Sequence, residues 1–162
     1  MDGSLVWGYY MKFILVEKFK EQPLSVQRAL LDWWKIDCGD LYISKDMYDS
    51  GDPFATVMCV NELLEGDIEG AWGEFKERAY PLFTEDNLRN YIQEKVDCLL
   101  SVESNPNGFA IKGFRYNGDD GTLILDCKIN RVDLLEAYWL IVCELANSPK
   151  GSVFSNFKLE IL

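Results

Sequence analysis

The stretch from Cys98 to Lys128 constrains the fold more than any other part of the chain. Phe109, Ile111, Gly113 and Arg115 alternate with Ala110, Lys112, Phe114 and Tyr116, the period of two that marks a half-buried strand. Asn117-Gly118-Asp119-Asp120-Gly121 follows and is the strongest turn signal in the sequence, because Gly, Asn and Asp accept the positive φ of tight hairpins. Ser104-Asn105-Pro106-Asn107-Gly108 marks an earlier turn. Three strands, Cys98–Glu103, Phe109–Tyr116 and Thr122–Lys128, are therefore expected as an antiparallel meander. Such a sheet buries one face, and an apolar element must cover it.

A cover follows in the sequence. Val132, Leu135, Tyr138, Trp139, Val142, Cys143 and Ala146 recur at helical spacing and predict a broad-faced helix over Arg131–Ala146, capped by Asn130 and ended by Asn147-Ser148-Pro149. Two further helices are expected. One runs Leu24–Lys35, with Pro23 in its first turn and a stripe of Val26, Ala29, Leu30, Trp33 and Trp34. The other runs Glu85–Lys95, with Thr84 as N-cap and Glu85 and Asp86 favoured by the helix dipole. Lys12–Phe19 reads equally as a short strand or the first turn of a helix.

Leu41–Ile43 and Phe54–Val60 are expected strands, with Lys45–Pro53 as a polar loop between them and a terminal strand within Val153–Leu162. The segment from Asn61 to Gly73 holds Gly66, Gly70 and Gly73; at about 1 kcal/mol for each interior Gly, a stable helix is not expected there. Glu74–Tyr80 is expected to form one or two turns before Pro81. The fold class is α+β: an antiparallel β-meander packed by about three α-helices. With 162 residues and no repeat or linker, one domain over 1–162 is expected. Residues 1–10 form a candidate N-terminal extension and Met11 an alternative start, although Trp7, Tyr9 and Tyr10 read as packing residues.

The chain contains no His. That removes Ser-His-Asp and Cys-His nucleophile pairs, imidazole acid–base chemistry and His-bearing zinc sites. Its five Cys, at 38, 59, 98, 127 and 143, form no C-x-x-C pair, so neither a disulfide framework nor a zinc site is expected; reduced thiols in the cytoplasm are. Cys127 and Cys143 sit in apolar runs and read as core. Phe13–Val16 is too short to span a bilayer, and no basic region followed by a long apolar core marks a signal peptide.

There are 27 acidic and 16 basic residues, giving a net charge of −11. Nucleic-acid backbones and anionic membranes are poor partners for such a chain, and a basic protein is a good one. The charge is uneven. Asp37–Glu69 carries nine acids against Lys45 alone, which is −8; the remainder carries 18 acids and 15 bases, which is −3.

Within that segment Asp46, Asp49 and Asp52 recur every three residues, a gathering of oxygens that could hold Mg²⁺ or Ca²⁺, although the EF-hand pattern is not met. The plainer reading is a solvated loop. Asp119 and Asp120 read as turn residues. The three glycines lack phosphate-loop spacing and a following Lys-Ser or Lys-Thr. Trp33 and Trp34, adjacent on a helix and so about 100° apart, read mainly as core, with one ring able to reach the surface. Trp72 stands between Gly70 and Gly73 among acids and reads as an aromatic anchor.

Leu30-Leu31-Asp32-Trp33-Trp34-Lys35 with Gly39-Asp40-Leu41-Tyr42, the block Tyr80-Pro81-Leu82-Phe83-Thr84-Glu85 through Ile92, and Leu135-Glu136-Ala137-Tyr138-Trp139 together resemble a family of small uncharacterised proteins of Firmicutes phages and prophages. The resemblance spans roughly residues 24–146 at sparse positions. It implies a genomic setting rather than a reaction, and no site residue is carried over from it. Small acidic phage proteins often occupy the nucleic-acid surface of a host protein, as anti-CRISPR and anti-restriction proteins do.

The expected function is therefore that of a non-catalytic, cytoplasmic, phage-derived inhibitor. It would bind a basic host nucleic-acid-handling protein such as a CRISPR effector nuclease by partial nucleic-acid mimicry. Asp46, Asp49, Asp52, Glu62, Glu65, Asp67, Glu69 and Trp72 are the expected contacts, and no cofactor, metal or catalytic residue is assigned. The alternatives are a toxin-neutralising immunity or regulatory protein and a Mg²⁺-dependent carboxylate enzyme.

Overall fold

The computed structural model describes residues 12–60, 68–130, 132–149, 154 and 156–161, with the side chains of 68–72 outside the description. The order of elements is α1 (Val16–Lys20), α2 (Leu24–Trp33), β1 (Leu41–Ser44), α3 (Lys45–Asp49), β2 (Met58–Cys59), α4 (Ile68–Arg78), β3 (Ala79–Pro81), α5 (Glu85–Val96), β4 (Leu99–Asn105), β5 (Gly108–Asn117), β6 (Asp120–Asn130), α6 (Leu134–Asn147) and β7 (Phe157–Ile161). The class is α+β, as the patterning predicts.

The meander forms the larger sheet, in the order β4-β5-β6-β7. Both hairpins close where the turn residues stand, with Gly108 and Gly118 at positive φ. A side chain at Gly108 would meet the Ile129 carbonyl oxygen at 2.1 Å. A bulge lies opposite Gly113 and Phe114, where β6 carries one extra residue. It turns both Ile124 and Leu125 into the core, as an unpaired residue does when it bends a strand. The fourth strand, β7, pairs parallel to β6, so the sheet is mixed. A parallel neighbour requires a crossover of a dozen or more residues, and α6 supplies it.

α6 buries Leu135, Ala137, Tyr138, Trp139, Ile141, Val142, Leu145 and Ala146. These join Ile111, Leu125, Cys127 and Ile129 of the sheet in one contiguous cluster, and α2 and α5 pack against the helix. Fully burying one such aliphatic side chain contributes about 1.5–3 kcal/mol. The helix starts later than its apolar pattern suggests. Asp133, not Asn130, is its N-cap, accepting the Glu136 backbone N–H at 2.9 Å. Asn130 instead ends β6, paired with Gly108.

The smaller sheet has the order β2-β1-β3 and is antiparallel. Several expectations change around it. The segment Lys45–Pro53 is not all loop, because its first five residues form α3, and the chain turns away after it at Gly51 with φ +70°. The expected strand Phe54–Val60 shrinks to Met58–Cys59. The Asp52 carboxylate accepts the Phe54 N–H at 2.8 Å, and Ala55 N–H reaches the Asp52 carbonyl at 2.9 Å, so these residues close a turn instead.

A helix also forms where glycine argues against one. α4 contains Gly70 and Gly73, and tertiary contacts offset their cost. Phe75 packs edge-on against Tyr42 at 4.8 Å and tilts against Trp34 at 6.1 Å, while Lys76 Nζ donates to the Leu31 carbonyl at 2.7 Å. With α1, α3 and α4, the described residues hold six helices rather than about three. Of the two readings of Lys12–Phe19 the helix holds: α1 begins at Val16, and Phe13 makes only an isolated bridge to Thr84. Residues 1–11, and with them the packing expected of Trp7, Tyr9 and Tyr10, lie outside the described residues.

Gly113 gives a test of core packing. A Cβ there would stand 2.7 Å from Cys98 Sγ and 3.0 Å from Leu125 Cβ. Gly113→Ala is expected to destabilise the fold by about 1–3 kcal/mol through overpacking, read as a lower urea midpoint. Introducing Cys98→Ala alongside it is expected to return part of that loss.

Candidate functional site

The acidic segment is where the sequence places the contact surface, and three of its carboxylates, Asp40, Asp49 and Asp52, also hold structure. Asp40 closes a knot. Its Oδ2 accepts the Trp34 indole N–H at 2.9 Å and the Asp37 backbone N–H at 3.0 Å, and its Oδ1 accepts from the Asn87 amide at 3.2 Å. Asn87 in turn completes the capping box of α5 with Thr84. One side chain thus joins the end of α2, the entry to β1 and the start of α5. Trp34 is consequently core, whereas Trp33 is half-buried, its ring edge-on to Tyr91 at 5.1 Å.

Asp49 closes the second knot. It pairs with Lys20 Nζ at 2.7 Å and accepts the Tyr80 hydroxyl at 2.9 Å. The Lys20 ammonium lies 5.3 Å from the Tyr80 ring centroid and 5.5 Å from that of Tyr48. The Tyr48 hydroxyl donates to Glu17, and Lys45 Nζ lies 5.2 Å from the Tyr80 centroid. α1, α3 and β3 are clamped together by these groups. The Lys20 hydrogen bond, then that of Tyr80, holds the Asp49 carboxyl below its ordinary value. The Asp49 hydrogen bond raises the Lys20 ammonium, and burial lowers that of Lys45.

The three expected aspartates therefore separate. Asp49 serves the clamp, Asp52 holds the Phe54 turn, and Asp46 is exposed on α3. They are not a solvated triad on one loop. Among the described residues no group of three His, Cys, Asp or Glu is placed to hold a metal ion. Glu62, Glu65 and Asp67 lie outside the described residues. Glu69 and Trp72 fall on α4 with their side chains outside the description, so the anchor expected at Trp72 does too.

Two exposed apolar features escape the sequence reading. The first is Phe54, 77% exposed at the turn Asp52 holds, with Val57 exposed three residues later. Reading the segment as a strand hid it; Asp-Pro ahead of Phe54 was the available signal for a turn. The second lies on the outer face of the large sheet. Leu99, Phe114 and Leu123 are cross-strand neighbours in one row, and the Tyr116 ring lies 6.5 Å from that of Phe114. Leu99 is 60% and Tyr116 55% exposed. Their signal was Phe114 and Tyr116, apolar residues in the polar phase of β5. Farther along the same face, Lys112 and Asp126 pair across strands, as do Lys128 and Glu160, so that part carries both signs.

The thiols divide by burial. Cys38 and Cys59 are exposed, Cys98 and Cys127 are buried, and Cys143 is half-buried. Burial pushes the Cys98 thiol up to about 11 and those of Cys127 and Cys143 up to about 12. No helix among the described residues is long and apolar enough to cross a membrane.

Two measurements check this geometry. Because the folded Asp49 carboxyl titrates below its ordinary 3.8, the unfolded chain takes up the proton first as pH falls. Its stabilisation is complete above 3.8 and is lost as pH drops through the lower folded value. Asp49→Asn is thus expected to lower the urea midpoint at neutral pH, with the gap to the parent narrowing below pH 3.8. Iodoacetamide at neutral pH is expected to alkylate Cys38 and Cys59, and to reach Cys98, Cys127 and Cys143 only in denaturant, read by peptide mass spectrometry.

No family model matches the chain, and no curated protein or solved structure matches it either.

Proposed function

We propose that this protein is a non-catalytic binding protein that docks onto the Arg- and Lys-rich surface of a host nucleic-acid-handling protein, with a CRISPR effector nuclease as the partner to test first. The observation that carries this reading is Phe54. A phenyl ring 77% exposed forgoes about 1.5–3 kcal/mol of burial in the isolated chain, and aromatic anchors of this kind are typical of interface hot spots. The ring is presented by a hydrogen-bonded turn, which reduces the entropy lost on docking.

Its setting favours a cationic partner. The surrounding segment Asp37–Glu69 is −8 by sequence, with Asp46 exposed and Asp52 at the base of the turn. Complementary potential speeds encounter and rejects wrong partners. The positively charged channel that holds the guide–target heteroduplex of a CRISPR effector is a surface of the right sign. The resemblance to phage proteins supports that choice of host process, and the net charge of −11 argues against binding the nucleic acid itself. Glu62, Glu65, Asp67, Glu69 and Trp72 extend the contact in this proposal.

The test is surface-based binding to a purified Cas9-type effector at two salt concentrations. Phe54→Ala is expected to weaken binding by about tenfold or more through faster dissociation. Glu62→Lys, Glu65→Lys, Asp67→Lys and Glu69→Lys together are expected to slow association and flatten the salt dependence. Unchanged binding by both folded variants, or no binding by the parent chain, overturns the proposal.

A further inference from the structure

We propose that the cleft between α2, α5 and the C-terminal end of α6 is a binding site for a small planar aromatic anion. The cleft is about 640 Å³, within the range of roughly 300–1,000 Å³ usual for small-molecule sites. Its apolar part is formed by Ala29, Trp33, Tyr91 and Ala146. The two rings are held edge to face, 83° apart, and Glu94 accepts the Trp33 indole N–H at 2.9 Å, which fixes the tilt of that ring. Burial pushes the Tyr91 hydroxyl up to about 12, so it stays neutral throughout the physiological range. Flat aromatic surfaces of this kind favour a flat ligand, by stacking or edge contact.

The charges fix the sign of that ligand. Arg28 and Lys95 line the cleft against Asp32, a local balance of +1 where the whole chain is −11. Among the described residues neither the Arg28 guanidinium nor the Lys95 ammonium makes a hydrogen bond or ion pair. Lys95 stands in the last turn of α5, where a cation offsets the helix dipole, but Arg28 sits in mid-helix with no such role. The remaining wall is the end of α6, whose carbonyls could repel an anion. Two of them are already engaged: Leu145 by the Ser148 N–H at 3.3 Å and Glu144 by the Ser148 hydroxyl at 3.2 Å. A carboxylate reaching the guanidinium and ammonium, with its ring against Trp33, satisfies both halves of the cleft.

The site is separate from Phe54, and its test is independent of any protein partner. The full chain, isotopically labelled, is titrated with naphthoate and, in parallel, with uncharged naphthylmethanol, following the Trp33 indole N–H by NMR. Naphthoate is expected to give a saturable shift, with the alcohol about tenfold weaker. The double variant Arg28→Gln/Lys95→Gln, which alters only rim side chains, is expected to weaken naphthoate by about tenfold and leave the alcohol unchanged. No saturable shift at Trp33, equal affinity for acid and alcohol, or full affinity in the double variant would each overturn the proposal.

Discussion

The rest of the structure depends on the burial of α6. Eight of its residues are buried, so it is covered on several sides at once: by the core face of the large sheet and by α2 and α5. The same helix carries the chain across to β7, which makes the last pairing parallel. A helix so widely apolar cannot remain in water. The sheet below it needs a cover for its inner face, and each element removes the other's exposed surface.

Around that centre, polar side chains secure the smaller elements. α1 and α3 are five residues each, too short to persist alone. The clamp of Lys20, Asp49, Tyr80, Tyr48 and Glu17 ties them to β3, while Asp40 ties α2, β1 and α5 through Trp34 and Asn87. Asp40 and Asp49 come from the most acidic part of the sequence, so part of its charge is committed to holding structure. Exposed ion pairs contribute little singly. What they add is a defined position for the turn that bears Phe54.

The surface that results is uneven in a useful way. Apolar groups emerge at Phe54 and along Leu99, Phe114, Tyr116 and Leu123, and a cleft of opposite local sign opens beside Trp33. Apolar exposure next to acids suits a cationic protein surface, whereas an aromatic-walled cleft whose two cations have no ion pair among the described residues suits a small anion. Different physics would govern the two proposed sites: electrostatic steering with a hydrophobic anchor at one, and charge-assisted hydrogen bonding over a ring at the other.

Much of the scaffold was legible in the sequence. Period-two alternation with Asn-Gly-Asp-Asp-Gly defined the β5–β6 hairpin, Thr84 marked the start of α5, and the stripe from Leu135 to Ala146 announced a buried helix. Those signals are local, because turn chemistry, capping and periodicity act within a few residues. The candidate site was less legible because its residues act at long range. Asp49 reads as a loop acid until Lys20 and Tyr80 arrive from sequence positions 29 and 31 residues away. Gly70 and Gly73 argue against α4 until Phe75 meets Trp34 and Tyr42. Sequence by itself determined the meander, the main helices and the excess of negative charge. Only the tertiary structure decided which carboxylates are held in knots, which rings face water and where two cations share a cleft, because each depends on which distant segments pack together.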